Sequence, residues 1–161
     1  MAKKEEKTNV MRLLTAAKIP FTPHYYDHSD GQIDGNAIAR KLSQPPEQVF
    51  KTLVTRGNPN GIALAVIPGD AELSLKKFAA VFGNKNAEMV PLKDVLPLTG
   101  YIRGGCSPVG TKKPYPVCIH ESAILYDKFY VSAGQRGLQF VIAPDDLAKA
   151  VGAEFADIVM D

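Results

Sequence analysis

Val49-Phe50-Lys51-Thr52-Leu53-Val54-Thr55-Arg56, followed by Asn58-Pro59-Asn60-Gly61 and then Ile62-Ala63-Leu64-Ala65-Val66-Ile67, decides the fold class. The first segment is rich in β-formers and the second is a hairpin turn signal. The third holds no polar residue, the pattern of a central strand buried on both faces. A hairpin of this kind needs further strands beside it, and the flanking chain supplies them between helical stretches.

On the N-terminal side, Val10, Leu13, Leu14 and Ala17 recur at helical spacing within residues 5–18, and Pro20 ends that helix. Residues 21–27 read as extended and 30–35 as polar loop. Ala37, Ile38, Ala39 and Leu42 suit a short helix over 36–42, and Pro45-Pro46-Glu47-Gln48 a turn or brief helical turn. On the C-terminal side, Ser74 caps a helix over 75–82 that Gly83 stops. A strand near 87–90, a helix over 92–96, a strand over 116–120, a helical turn at 122–126 and strands over 129–132 and 138–142 follow. Pro144-Asp145-Asp146 opens a helix that ends before Gly152, and 154–159 is a last strand. The expected class is therefore α/β with a mixed sheet, because hairpins and crossovers both occur. No repeat, low-complexity segment or linker divides residues 1–161, so one domain is expected.

The composition, 45% hydrophobic and 22% charged over 161 residues, is that of a soluble globular protein. A net charge of +2 says little about partners. Locally, residues 74–113 carry seven cations (Lys76, Lys77, Lys85, Lys93, Arg103, Lys112, Lys113) against Glu88 and Asp94, a patch suited to phosphates or simply to solvent. Two cysteines are too few for a disulfide scaffold, the charged N-terminus is unlike a signal peptide, and no apolar run is long enough to span a membrane. The expectation is a cytoplasmic protein with reduced thiols and no membrane partner.

Functional residues are sought first in Arg103-Gly104-Gly105-Cys106-Ser107-Pro108-Val109-Gly110-Thr111-Lys112-Lys113. Its glycines let backbone N–H groups approach a ligand oxygen. Ser132-Ala133-Gly134-Gln135-Arg136-Gly137 is of the same kind, and two such loops suggest a cleft with two lips. Lys51 shares a strand face with Val49, Leu53 and Thr55, so it is either a partly desolvated functional amine or a snorkelling edge lysine. His24 and His28, on an extended segment, stand about 13 Å apart and cannot share a metal. Cys106, Cys118 and His120 form no tight ligand cluster, and no metal or other cofactor is expected. Cys106 is a candidate nucleophile without an evident base. Neither a Walker A nor a dinucleotide motif is present.

Val49–Val54, Gly100-Tyr101 through Gly110 with its two lysines, and Tyr130 through Leu138, in this order, resemble the YbaK/EbsC family of Cys-tRNA(Pro)/Cys-tRNA(Cys) deacylases. These are related to the editing domain inserted in bacterial prolyl-tRNA synthetases. The resemblance implies a barrel-like mixed sheet with flanking helices and hydrolysis, in trans, of cysteine misattached to proline tRNA. It implies aminoacyl-tRNA as partner, with prolyl-tRNA synthetase as a further one. Lys51 matches the essential lysine of the family, Gly104 to Pro108 its G-x-x-x-P loop, and Tyr26, Ser132 and Gly134 its pocket; Gly105, Cys106, Ser107, Gly110 and Arg136 join them as expected substrate contacts. Ala133 departs from a frequent glycine, and Gln139 stands where some members carry aspartate. The chemistry implied is attack by the substrate's own thiolate, with the protein orienting the ester and stabilising the oxyanion. Preference for Ala-tRNA(Pro), and a non-catalytic tRNA- or synthetase-binding module, are the alternatives. Oligomeric state is not legible.

Overall fold

The central hairpin forms as its composition demands. In the computed structural model, which describes residues 8–161, strand β2 (Phe50–Asn58) turns into β3 (Gly61–Pro68), with Thr52 opposite Val66 and Gly57 opposite Gly61. Ala63 to Ile67 are at most 3% exposed. Their two faces serve different packing layers. Leu64 and Val66 enter the main core, while Ala63, Ala65 and Ile67 meet Phe78 and Ile158 on the other side.

The remaining strands are β1 (Thr22–Tyr25), β4 (Asn86–Met89), β5 (Val117–His120), β6 (Phe129–Ser132), β7 (Leu138–Ile142) and β8 (Glu154–Ala156). Five of the eight strands make a mixed sheet in the order β4-β2-β3-β5-β8, antiparallel around β2 and parallel from β3 to β8. Three make an antiparallel sheet, β1-β7-β6. The mixed sheet is as expected, but there is no closed barrel. Val49, just before β2, bridges Tyr130 of β6, and among the described residues no further strand pairing joins the two sheets there. Phe50 and Phe129 pack edge to face at 4.8 Å just inside that bridge and tie the sheets together through the core.

Helices α1 (Asn9–Ala16), α2 (Gly35–Lys41), α3 (Leu75–Val81), α4 (Leu92–Thr99) and α5 (Pro144–Val151) cover the sheets. The start of the helix expected over 5–18 lies outside the described residues; its described part begins at Thr8, whose Oγ1 accepts from Met11 N–H at 3.2 Å. Ser74 caps α3 as its position suggests, accepting from Lys77 N–H at 3.2 Å. α4 runs three residues past the expected end. Pro97, which lacks an N–H, lies inside the helix. Thr99 Oγ1 donates to the Val95 carbonyl at 2.7 Å within this last turn, and Gly100, at φ 86°, ends it. The final strand is shorter than expected. After Ala156 the chain is held by other bonds: Ile158 N–H donates to His120 Nδ1 at 3.3 Å and Ser74 N–H to the Ile158 carbonyl at 2.8 Å.

One close backbone contact positions α2. A Cβ on Gly35 would lie 2.6 Å from the Gly69 Cα, and Gly69 N–H donates to the Val49 carbonyl at 2.7 Å. The start of α2, the end of β3 and the start of β2 are thereby pinned at one point. Gly35→Ala is expected to destabilise the fold by about 1–3 kcal/mol through overpacking against main chain that has no room to yield. Urea unfolding monitored by circular dichroism measures this; an unchanged midpoint means the contact relaxes freely.

Candidate functional site

β2 lacks a strand partner along part of one edge. β4 pairs with it only over Thr55–Asn58, and β6 reaches it only at Val49. The interval between is a cleft of about 420 Å³. One wall is α2 and the residues before it, including Ile33 and Ile38; the other is Met89 and Val90 with Leu92 and Val95 of α4. Gly104 and Cys106 approach from the glycine loop, and Ser132 and Gln139 come from β6 and β7.

Lys51 lies in this cleft and is half-buried. Its Nζ donates to the Gly69 carbonyl at 3.2 Å. Burial pulls its pKa below the usual 10.5, and the charges of Asp70, Glu72 and Asp34 act against that shift. Asp34 also lines the cleft, but its carboxylate caps α2, accepting from Ala37 N–H at 2.9 Å. The Lys51 amine is thus partly desolvated. The side chain stands beside an unpaired stretch of strand edge within a cleft.

The two glycine-bearing loops do meet. Arg136 Nε donates to the Arg103 carbonyl at 2.8 Å, and a Cβ on Gly105 would lie 2.9 Å from the Gln135 Cα. Gly104 has φ 86°, and a Cβ there would come within 2.8 Å of Ile33 Cδ1. A side chain at 104 would therefore be strained and would crowd one wall of the cleft.

The expected site residues divide into two groups. Lys51, Gly104, Cys106 and Ser132 line the cleft. Gly105, Ser107, Pro108, Gly110, Gly134, Arg136 and Tyr26 do not; most of them build the loops behind it. Ser107 Oγ accepts from Val109 N–H at 3.3 Å, and Tyr101 Oη donates to the Val109 carbonyl at 2.6 Å and the Gly110 carbonyl at 3.1 Å. Gly110 and Gly134 both pack on Tyr101 and on residues of α1. Tyr26 is 8% exposed, in a cluster with Ile38, Val49 and Tyr130.

Thr52, Gln139 and Asp34 also line the cleft, and none of them is among the site residues expected from the sequence. A lone glutamine inside Leu138-Gln139-Phe140-Val141-Ile142 was a usable signal, since a polar side chain in such a strand needs a reason. Thr52 gave none. The basic stretch is also smaller than its sequence suggests. Lys77 Nζ is held by Asp157 at 3.0 Å and Asp161 at 2.8 Å, so it offers little to a phosphate. Lys93 and Arg103 are exposed, and Arg103 lies at the cleft itself.

Cys106 is 7% exposed, and burial pushes its thiol pKa up to about 11. Among the described residues no histidine lines the cleft to activate it. The thiol is therefore neutral at physiological pH and poor as a nucleophile. In a Cys118→Ser background, alkylation of native protein by iodoacetamide should be slow at pH 7.5 and keep rising well past pH 9. A plateau below pH 8.5 would reveal an activated thiol.

Comparison with known proteins accords with this geometry. Residues 34–150 match the aminoacyl-tRNA editing domain family. Over 160 residues the chain is 44% identical to an Enterococcus faecalis protein named "Putative Cys-tRNA(Pro)/Cys-tRNA(Cys) deacylase EbsC", with 98% of both chains covered. It is 32% identical over 97 residues to a proline–tRNA ligase of Thermosipho africanus, spanning 60% of this chain and 17% of that enzyme. The fold matches a solved structure described as "a putative trans-editing enzyme for prolyl tRNA synthetase", with TM-score 0.80 and 22% identity over 97% of this chain and all of that one. Shared sequence along nearly the whole chain, together with the shared fold, makes this protein a member of the aminoacyl-tRNA editing domain family, of the YbaK/EbsC kind.

Proposed function

We propose that the protein deacylates Cys-tRNA(Pro) in trans. The observation that carries this is the near-full-length, 44% identity to a protein named as such a deacylase. The cleft supports it in kind. It is small, largely apolar and open on one side, so that an aminoacyl group can enter while the polynucleotide stays outside. Exposed Lys93 and Arg103 near its mouth suit the phosphates of an acceptor end.

The absence of an activated nucleophile among the described cleft residues supports a substrate-assisted route. The thiolate of the bound cysteinyl ester attacks its own carbonyl carbon. A carbon–sulfur bond forms, the ester carbon–oxygen bond breaks, and the tRNA oxygen leaves and takes up a proton from water. The released cysteine thiolactone then hydrolyses in solution. The protein's part is to hold thiol and carbonyl together and to stabilise the oxyanion. Lys51, half-buried at the open edge of β2, supplies positive charge where solvent screens it least. The main chain at Gly104 and Cys106 supplies close approach on the opposite side. Gly105, Ser107, Pro108, Gly110, Gly134 and Arg136 hold that main chain in place.

Deacylation of Cys-tRNA(Pro) by wild type, Lys51→Ala and Cys106→Ser, with Ala-tRNA(Pro) alongside, tests the reading. Wild type should shorten the lifetime of the cysteinyl ester selectively. Lys51→Ala should lower kcat/KM by about a hundredfold or more, and Cys106→Ser should keep its activity. Equal rates on the alanyl ester would favour the Ala-tRNA(Pro) alternative. Binding of tRNA without turnover would favour the non-catalytic module. Because burial lowers the Lys51 pKa, its cationic form is lost as pH rises through a value below 10.5. The buffer-corrected rate should therefore fall on its alkaline side below that point, and the Lys51→Arg profile should lack the fall.

A further inference from the structure

Three buried oxygens of the cleft-lining residues, on Thr52, Ser132 and Gln139, have no work in the scheme above, and the last two stand together. Gln139 is 2% exposed and Ser132 6% exposed, and both line the cleft. Among the described residues neither Gln139 Oε1 nor Ser132 Oγ has a hydrogen-bond partner. The two residues stand opposite each other in the β6–β7 register. They therefore project from the same face, with Cβ atoms about 4.5–5.5 Å apart. Polar groups this deeply buried are normally paired, because an unpaired acceptor destabilises the fold. A pair left open side by side, facing a cleft, is matched to donors that a ligand brings.

Resting on the deacylase reading, we propose that Gln139 Oε1 and Ser132 Oγ bind the α-amino group of the aminoacyl ester, and so make a free amine a requirement for efficient turnover. The charged end of a cysteinyl-tRNA offers donors on the polynucleotide, the adenine amino group and ribose hydroxyl, and on the aminoacyl group, the thiol and the α-amine. The polynucleotide must stay outside, whereas Gln139 and Ser132 are the most buried polar side chains of the lining. A thiol brings one weak donor for two acceptors. An amine brings several strong ones and serves both oxygens at once. Charge agrees with this placement. β6 lies beside β2 at the Val49–Tyr130 bridge and β7 lies beyond β6. Gln139 thus approaches the cleft from the small sheet and Lys51 from the large one, with β6 between them. The amine is held away from the lysine cation, and the carbonyl and thiol are left on the Lys51 side.

The test compares cysteinyl-tRNA(Pro) with its desamino counterpart, 3-mercaptopropionyl-tRNA(Pro), which keeps the thiol and the ester. Each enzymatic rate is divided by that ester's own rate in buffer, since the amine alters intrinsic lability. Wild type should prefer the amine-bearing ester, and Gln139→Leu should reduce that preference by about tenfold or more. Gln139→Glu retains acceptor oxygens at nearly the same volume and should keep the preference; it decides the matter if the leucine variant misfolds by circular dichroism. A wild type indifferent to the amine overturns the assignment and leaves the deacylase reading standing. So does a preference that both variants keep, or one that Gln139→Glu loses. No turnover of either ester by folded wild type removes the deacylase reading and this assignment together.

Discussion

Strand β2 is asked to belong to two sheets and can be covered along only part of one edge. β3 pairs its other edge from Phe50 to Gly57. On this edge β4 takes the far half and β6 touches the near end. An uncovered edge is ordinarily a liability, because it exposes main-chain donors and acceptors to any passing strand. Here α2, α4 and the glycine loop close around it, and the liability becomes an enclosed place. Lys51 has the surroundings it has because it lies on that stretch of strand. The same residue one strand further into the sheet would be buried beyond use, and on a fully open edge it would be screened by water.

The rest of the architecture holds that gap at a fixed width. Phe50 against Phe129 sets how closely the two sheets approach. Gly35 against Gly69 sets where α2 begins, and with it the position of Ile33 and Asp34. Tyr101, bonded to the Val109 and Gly110 carbonyls, ties the far end of the glycine loop to the core. The residues at the heart of the hydrophobic clusters behind these contacts are almost fully buried. Movement of any wall would therefore disturb packing, which resists small displacements. A cleft made by packing in this way suits a reaction in which the protein chiefly orients a substrate.

Its chemistry is correspondingly sparse. One half-buried cation, a turn of close-approaching main chain and a few oxygens face the cleft, and the single thiol there is held neutral by burial. Such a site has little to offer a substrate without a reactive group of its own. It has more to offer one that carries its own nucleophile, for which selectivity rests on shape and on where donors and acceptors fall.

Much of this was legible in the order of residues. Periodicity and β-propensity are local, so nearly every helix and strand falls within a few residues of where its pattern puts it. The exceptions are Pro97, tolerated inside α4, and residues 157–159, held by His120, by Ser74 and by an isolated antiparallel bridge from Val159 to Leu73. The motifs around Lys51, Gly104 and Ser132 were legible as well, because their residue types are unusual for their elements. What only the tertiary structure decided is which of them face the same space. Gly105, Ser107, Pro108 and Gly110 belong to the same loop as Gly104 and Cys106 yet turn away from the cleft. Thr52 and Gln139 are ordinary residues in their own strands and become part of it. Membership of the cleft depends on where the β4 pairing ends and on where the small sheet meets the large one, at the Val49–Tyr130 bridge. Those are long-range packing outcomes, and no window of sequence contains them.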